Sequence, residues 1–330
     1  MHNDCTQWLL NKGIVGEEAI VQAGSDRQYK RLLSPTENYI WCHNEAVDEN
    51  ETFFYFTQHF AEYGIPVPNL LMVSSHKKEY ILSDGGRESL LDVRLRLGET
   101  DAVYVLYEQA LQHLVRMQIP ASATLNFSRC YAQGAFDADA VMHDLHYFET
   151  YYWEALFKEK LPSGIQPEFE RLAQRIAHIP EQYFMYRDFQ GRNILVNNNA
   201  LCFIDFQGGM RGPLSYDVAS LLWQAKASLS IAWKEALYAG YKKEVQQFIA
   251  IDEARFDEAY RDVVLVRLLQ VLGAYGRRGI LERKPHFLSS IPQGLHNIQT
   301  WLSMYSLVDA PVLASVLQTI LNHPPHVDTP

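Results

Sequence analysis

The chain has 330 residues, of which 48% are hydrophobic, 12% aromatic and 21% charged, enough apolar side chains for a sizeable core. This composition excludes a disordered or collagen-like chain. The 39 acidic residues outnumber the 29 basic ones and give a net charge of −10, which argues against nucleic acid as a partner.

The cysteines and the apolar segments predict a cytoplasmic protein. The four cysteines stand far apart in the sequence, a spacing that fits neither a zinc site nor a dense disulfide framework: Cys5, Cys42, Cys130 and Cys202. The first residues lack a basic start followed by a long apolar run. No stretch approaches the about 18 consecutive apolar residues of a membrane-spanning helix. We therefore expect no secretory signal and no membrane partner.

The first 86 residues are predicted to form a small sheet with one long helix. Residues 19–22 and 29–33 flank a glycine turn and predict a hairpin, with 37–43 as a third strand. Two further strands are expected within 64–73 and 77–86. Between them, one helical face carries aromatic side chains and ends at a glycine cap: Phe53, Phe56, Phe60, Tyr63 and Gly64.

Beyond residue 90 the pattern is mostly helical. Apolar residues recur on one helical face in two segments: Val103, Leu106, Ala110, Leu111 and Leu114, then Phe256, Tyr260, Val263, Val264, Leu268 and Val271. Residues 181–206 are the exception, because short β-like runs alternate there with polar turns, and 197–199 form a hairpin tip. We therefore predict an α+β fold with a β-rich lobe at 1–86 and a helical lobe at 87–330.

The most specific chemical feature is three polar residues at the ends of apolar β-runs. Asn193 follows Asp188 by five positions, and Asp205 comes after the hairpin. Phosphoryl transfer needs one carboxylate to orient the attacking hydroxyl, and an amide oxygen with a second carboxylate to hold Mg²⁺. The pattern predicts Asp188 as the catalytic residue and Asn193 with Asp205 as magnesium ligands.

This pattern resembles the catalytic motif of the aminoglycoside phosphotransferase and choline kinase-like family, relatives of the protein kinases. That family carries H-x-D-x-x-x-x-N, a hairpin and then I-D-x-x, and a G-x-P-V-P connection that is similar to residues 64–68 here. The resemblance covers roughly residues 15–310. It implies a two-lobed protein kinase-like fold, ATP and Mg²⁺ as cofactors, and a small-molecule alcohol as the acceptor.

A narrower match extends beyond the catalytic residues. The segments 187–193, 205–213 and 216–222 are similar to the anomeric kinases that phosphorylate the C1 hydroxyl of N-acetylmuramate and N-acetylglucosamine. This resemblance implies an ATP-dependent sugar kinase of cell-wall recycling. Two alternatives stay open: a kinase for another small alcohol, of aminoglycoside, choline or thiamine type, and a nucleotide-binding pseudokinase with a regulatory role.

Two departures from the family pattern motivate the pseudokinase alternative. Tyr186 stands where the motif has histidine, a buttressing position at which we expect activity to survive. The third strand also lacks the phosphate-binding lysine, while the preceding segment offers Arg27, Lys30 and Arg31. Strand alternation puts Lys30 and Arg31 on opposite faces, and we expect one of them to face the nucleotide phosphates.

The remaining site predictions follow from the resemblance. We expect the backbone N–H groups of Gly24, Ser25 and Asp26 to lie over the phosphates, and residues 80–84, with Tyr80 and Leu82, to form the adenine hinge. The predicted substrate residues are Arg192, Gln207, Arg211, Asp144 and Tyr147. Arg211 could meet the lactyl carboxylate of a muramic acid or form a structural salt bridge, and the helix that carries Asp144 and Tyr147 could instead be an aromatic core helix.

Overall fold

The computed structural model describes residues 3–10, 12–20, 27–131 and 134–325. Two compact units divide the chain. The first combines Met1–Gly134 with Tyr186–Met210, and the second combines Ala135–Met185 with Arg211–Pro330. These units cut the chain at other points than the predicted lobe boundary between residues 86 and 87, which stays a prediction.

The elements follow one another in chain order. As far as residue 134 they are α1 (Asn3–Leu9), β1 (Gly16–Ile20), β2 (Gln28–Leu33), β3 (Tyr39–His43), α2 (Val47–Glu62), β4 (Leu70–Val73), β5 (Glu79–Ser83), β6 (Glu88–Ser89), α3 (Leu90–Leu97) and α4 (Asp101–Arg116). Next come α5 (Ala138–Phe148), α6 (Glu154–Phe157), α7 (Ile165–Ala177), β7 (Gln182–Met185), β8 (Ile194–Asn197) and β9 (Ala200–Phe203). The last are β10 (Met210–Pro213), α8 (Ser215–Leu222), α9 (Ile231–Gln246), α10 (Glu253–Tyr275), α11 (Pro285–Leu288), α12 (Ile291–Met304) and α13 (Pro311–Asn322).

The first unit contains a five-stranded antiparallel sheet in the order β1-β2-β3-β5-β4. The predicted hairpin and third strand are confirmed, and the turn at Gly24 lies outside the described residues. One face of the sheet packs against α1 through a cluster of buried side chains: Cys5, Leu32, Tyr39, Trp41 and Ile81. Burial of this face ties the short N-terminal helix to the sheet.

Helix α2 packs against both the sheet and the segment after β9 that carries Asp205. Its predicted aromatic face is buried at Phe53, Phe56 and Phe60, and Gly64 follows the helix in the left-handed region at φ 68°. The Phe53 ring lies 5.4 Å from that of Tyr80 in β5. The same Phe53 ring stacks on that of Phe206, the residue after Asp205, with ring centroids 5.1 Å apart.

Strands β8 and β9 form the predicted hairpin. Asn198 and Asn199, at its tip, have φ values of 49° and 64°. Two consecutive residues with positive φ suit a tight two-residue turn, whose twist matches that of the flanking strands, and asparagine tolerates that conformation. Strand β6 adds to β8, and Ser89 at its end caps α3 through a reciprocal pair of hydrogen bonds with Asp92.

The second unit is mostly helical and is organised around α10. This helix contacts α5, α8 and α12. Five of the six residues in its predicted apolar stripe are buried, and Val271 is half-buried. With a sheet near the N-terminus and helices after it, the predicted α+β fold is confirmed. In the part of the chain that the structure describes, no helix is both long and apolar enough to cross a membrane.

The buried Glu168 on α7 caps the first turn of α13. Its carboxylate accepts hydrogen bonds from the backbone N–H groups of Val312 and Leu313, at 3.0 and 2.7 Å. We expect Glu168→Ala to lower the free energy of unfolding by about 1–3 kcal/mol, because it leaves two N–H groups at a helix start without this partner. Urea denaturation measures the change. The exposed Glu170→Ala on the same helix is the control, with an expected change within about 0.5 kcal/mol. Equal losses in the two variants would contradict the role of Glu168.

Candidate active site

The three residues that the motif predicts as catalytic and metal-binding lie together in the first unit. The amide nitrogen Nδ2 of Asn193 donates to the backbone oxygen of Asp188 at 2.9 Å and to its carboxylate at 3.2 Å. The same nitrogen lies 3.5 Å from Oδ2 of Asp205. One amide therefore joins the two carboxylates, each of which comes from a different segment of the chain.

Backbone conformation and packing hold these segments in place. Arg187 and Asp205 both adopt left-handed φ values, 74° and 68°, which are uncommon for residues with a side chain. Such conformations cost about 1–3 kcal/mol each and persist only where the surroundings enforce them. The side chains next to the catalytic residues, Phe189 and Phe206, are fully buried. Their burial supplies that enforcement.

Tyr186 braces the two segments from behind. Its ring is fully buried and packs edge-on against Phe189 and Phe206, at centroid distances of 5.2 and 6.1 Å. Its hydroxyl donates a hydrogen bond to the backbone carbonyl of Ile204, the residue before Asp205. Tyr186 thus makes the kind of contact that a buttressing residue needs, although histidine is absent.

The groups around Asp205 have opposite effects on its pKa. Burial and the negative charge of Asp188 raise its pKa above the ordinary value of 3.8, while Gln207 and Arg27 pull it down. Gln207 donates to Asp205 Oδ1 at 2.8 Å and is itself buried. The charged form of Asp205 is therefore less favoured than that of a free aspartate, and a bound divalent cation would favour it.

The donors at this place suit a hard divalent cation. Carboxylate and amide oxygens are the ligands that Mg²⁺ takes in proteins. Within the described ranges no group of three or more His, Cys, Asp or Glu side chains is arranged to hold a metal ion. A magnesium site here would use Asp205 together with Asn193 turned so that its amide oxygen replaces the nitrogen that now faces Asp205, and the phosphates of a nucleotide would complete it.

Arg27 is the cation on the Asp205 side of this site. It is buried, and Nη2 lies 2.6 Å from Oε1 of Glu49 in α2. Nη1 lies 3.6 Å from Oδ1 of Asp205 and 3.4 Å from the Tyr29 hydroxyl. The sequence offers Arg27 beside Lys30 and Arg31, but nothing in strand alternation singles it out, since it precedes β2.

The two predicted phosphate ligands, Lys30 and Arg31, form ion pairs away from Asp205. Lys30 forms an exposed pair with Glu17 at 2.8 Å and lies over the ring of Trp41, on the sheet face that α1 covers. Arg31 binds Asp84 at 2.6 Å and donates to the carbonyl of Gly86 at 2.8 Å. Arg27, rather than Lys30 or Arg31, contacts Asp205, and a role of Lys30 or Arg31 toward the phosphates stays a prediction.

The predicted hinge residues lie in the five-stranded sheet. Tyr80 and Leu82 belong to β5, which pairs with β3 on one side and with β4 on the other. Their backbone groups face paired strands on both sides, and their role toward an adenine ring stays a prediction. Backbone outside the sheet begins after Ser83. The other predicted nucleotide-binding residues, Gly24, Ser25 and Asp26, lie outside the described residues.

Two of the predicted substrate residues contact the catalytic carboxylates. Arg192 is exposed and places Nη2 2.8 Å from Oδ2 of Asp188. Gln207 holds Asp205 and keeps its own Oε1 buried, without a hydrogen-bond partner among the described residues. Their role toward a substrate stays a prediction, but each hydrogen-bonds one of the two predicted site carboxylates.

The other three predicted substrate residues belong to the second unit. Asp144 is buried, with Oδ1 3.8 Å from Nδ1 of His143. Tyr147 packs against Tyr151 with ring centroids 4.7 Å apart. Arg211 is exposed, and its guanidinium lies 3.4 Å from the carbonyl oxygen of Gln182. Their part in acceptor binding stays a prediction.

Comparison with known proteins identifies the class. The phosphotransferase enzyme family matches residues 19–258, and the chain belongs to that family. Among curated proteins, the chain is 25% identical over 252 residues to an N-acetylmuramate/N-acetylglucosamine kinase of Pseudomonas aeruginosa, covering 72% of this chain and 69% of that one. It is 24% identical over 274 residues to a kinase of the same name from Neisseria meningitidis, covering 78% and 76%.

Solved structures agree on the fold. An amicoumacin kinase superposes with a TM-score of 0.61 at 14% identity, covering 97% of this chain and 93% of that one. A choline kinase from Streptococcus pneumoniae superposes with a TM-score of 0.55 at 11% identity, covering 91% and 96%. The predicted family resemblance and fold class are confirmed.

The raised pKa of Asp205 predicts a pH-dependent stability cost. A carboxyl whose pKa is higher in the folded state binds its proton more tightly there, so stability falls as the pH rises from 3.8 through the raised folded value. Asp205→Asn removes this penalty and should raise the melting temperature at pH 7.5. The advantage should shrink on acidification toward the ordinary pKa. Thermal unfolding across pH measures it, and a variant less stable than wild type at pH 7.5 would contradict the assignment.

Proposed function

We propose that this protein is an ATP-dependent kinase that phosphorylates the C1 hydroxyl of N-acetylmuramate or N-acetylglucosamine in the cytoplasm, in cell-wall sugar recycling. The observation that carries the proposal is the joining of Asp188 and Asp205 through the amide of Asn193. The family match supports phosphoryl transfer, and the printed names of the curated relatives support the acceptor.

Asp188 is the catalytic residue of the proposed reaction. Its carboxylate would accept a hydrogen bond from the C1 hydroxyl, orient it toward the γ-phosphoryl group and take its proton as the new P–O bond forms. Arg192, 2.8 Å away, and Asn193 hold one oxygen of this carboxylate. Their hydrogen bonds fix its orientation before the acceptor arrives.

Asp205 and Asn193 would hold the metal. Mg²⁺, when bound, supplies positive charge to the nucleotide phosphates. Gln207 fixes one oxygen of Asp205, and the strained backbone at φ 68° turns the carboxylate toward Asn193. Both features hold Asp205 in one conformation, so less ordering of this side chain is needed when nucleotide and metal bind.

Arg27 is proposed to replace the strand lysine of the family pattern. Its pair with Glu49 resembles in kind the lysine–glutamate ion pair of kinase folds, in which the cation meets the α- and β-phosphates. The proposed adenine hinge moves to residues 84–87, where Asp84 orders the turn by accepting from the Gly86 N–H at 3.0 Å.

Nucleotide binding distinguishes Arg27 from the neighbouring lysine. We expect Arg27→Met to weaken the binding of Mg²⁺ with a non-hydrolysable ATP analogue by about tenfold or more, because a buried charge-assisted contact is lost. The matched Lys30→Met, in an exposed pair, should stay within about twofold. Calorimetric titration measures both, with circular dichroism to verify that each variant is folded. Loss of affinity in Lys30→Met alone would restore the original prediction.

A panel of acceptors tests the reaction itself. N-acetylmuramate and N-acetylglucosamine should be phosphorylated with ATP and Mg²⁺, whereas their 1-O-methyl glycosides should be inert because the methyl group removes the C1 nucleophile. Coupled ADP release measures turnover for each compound. Phosphorylation of the methyl glycosides would move the reaction to another hydroxyl. Transfer to choline or kanamycin alone would favour the alternative small-alcohol kinase.

A further inference from the structure

A segment of the first unit runs back along α2, the helix that carries Glu49. We call this segment, residues 121–131, the strap, and it contains two short 3₁₀ turns, Ser122–Thr124 and Phe127–Arg129. Hydrogen bonds join it to side chains of α2 and of the residue after that helix: Ala121 with His59 at 2.7 Å, Thr124 with Tyr63 at 2.6 Å, Asn126 with Tyr55 at 2.8 Å and Arg129 with Thr52 at 2.7 Å. Since short 3₁₀ turns have few hydrogen bonds of their own, these contacts set the course of the strap.

The last residues of the strap contact the first turns of α2. The Thr52 hydroxyl donates to the backbone carbonyl of Arg129. Two residues further along the strap, the side chain of Tyr131 hydrogen-bonds the side chain of Glu49. Glu49 precedes Thr52 by about one helical turn, and its carboxylate pairs with Arg27 at 2.6 Å. The strap therefore ends at the ion pair of Arg27.

The charged groups of the site act on the Tyr131 hydroxyl. Partial burial raises its pKa above the usual value of 10.0, and the charge of Glu49 and the hydrogen bond with it raise the pKa further. The hydroxyl therefore keeps its proton at neutral pH and donates a hydrogen bond to the carboxylate. Arg27 lowers the same pKa and Asp205 raises it, so both charges act on this hydroxyl. Tyr131 is 43% exposed and so contributes little to the core.

We propose that Tyr131 is a positioning residue for nucleotide binding: it orients Glu49, and Glu49 in turn holds Arg27 toward the phosphates. The inference rests on the proposed function and extends it to the residue that holds the partner of the cation. Oε1 of Glu49 pairs with Arg27, and Oε2 accepts a hydrogen bond from Nδ2 of Asn44 at 2.9 Å. A carboxylate can accept about four hydrogen bonds, and each donor restricts its rotation. Tyr131 adds a donor from the strap, a segment separate from those of Arg27 and Asn44.

Deleting one tyrosine hydroxyl at each end of the strap tests this role. We expect Tyr131→Phe to weaken the binding of Mg²⁺ with a non-hydrolysable ATP analogue by about threefold to tenfold, because Glu49 loses one of the donors that orient it. Tyr63→Phe is the matched control, since it removes the hydroxyl that contacts Thr124, and it should stay within about twofold. Calorimetric titration without a sugar measures both, with circular dichroism to verify folding. Equal losses in the two variants, or no loss in Tyr131→Phe, would overturn the positioning role.

A double-mutant cycle shows whether Tyr131 acts through Arg27. If it does, adding Tyr131→Phe to Arg27→Met should weaken nucleotide binding no further than Arg27→Met alone, because the cation that Tyr131 helps to hold is already gone. A purely structural role of the hydroxyl would instead multiply the two losses. Losses that multiply, or an Arg27→Met variant that binds the nucleotide as wild type does, would overturn the inference.

The absence of a sugar from these titrations separates the inference from the proposed reaction. The expected pattern of affinities in a protein that phosphorylates neither N-acetylmuramate nor N-acetylglucosamine would support the role of Tyr131 and refute the proposed acceptor alone. A wild-type protein that does not bind the ATP analogue would overturn the role of Tyr131.

Discussion

The active site depends on two carboxylates that share one amide. Asp188 and Asp205 are close enough for the charge of one to raise the pKa of the other, and Asn193 donates to both. Like charges in a partly buried place repel, so this arrangement costs free energy in the absence of a cation. The neighbouring side chains offset this repulsion. Arg27 and Gln207 lie beside Asp205, and Arg192 lies beside Asp188.

Aromatic packing makes that costly arrangement rigid. Phe206 follows Asp205 directly and packs against Phe53 and Phe60 of α2, with Tyr186 on another side. The helix that carries Glu49, the partner of Arg27, is thus the helix against which the Asp205 segment packs. A displacement of α2 would therefore move Arg27 and Asp205 together.

Much of this could be predicted because the determinants are local. The hairpin follows from apolar runs around Asn198 and Asn199, and the catalytic set follows from the spacing of Asp188 and Asn193. The contacts of Arg27 with Glu49 and Asp205 could not be predicted, since they form only after three separate segments of the chain have packed together. The hinge at residues 80–84 stays a prediction, because the sequence of an apolar segment such as 79–83 does not reveal whether one or both of its edges are paired.

The position of the phosphate on the product tests the central claim most directly. N-acetylglucosamine labelled with ¹³C at C1 would be incubated with the protein, ATP and Mg²⁺, and the product examined by ¹³C and ³¹P NMR. We expect the C1 resonance to be split by coupling to phosphorus. The Asp188→Asn variant, as a control, should form no phosphorylated sugar. A phosphorylated sugar whose C1 resonance stays unsplit, with the coupling at another carbon, would contradict the assignment of this protein as an anomeric kinase.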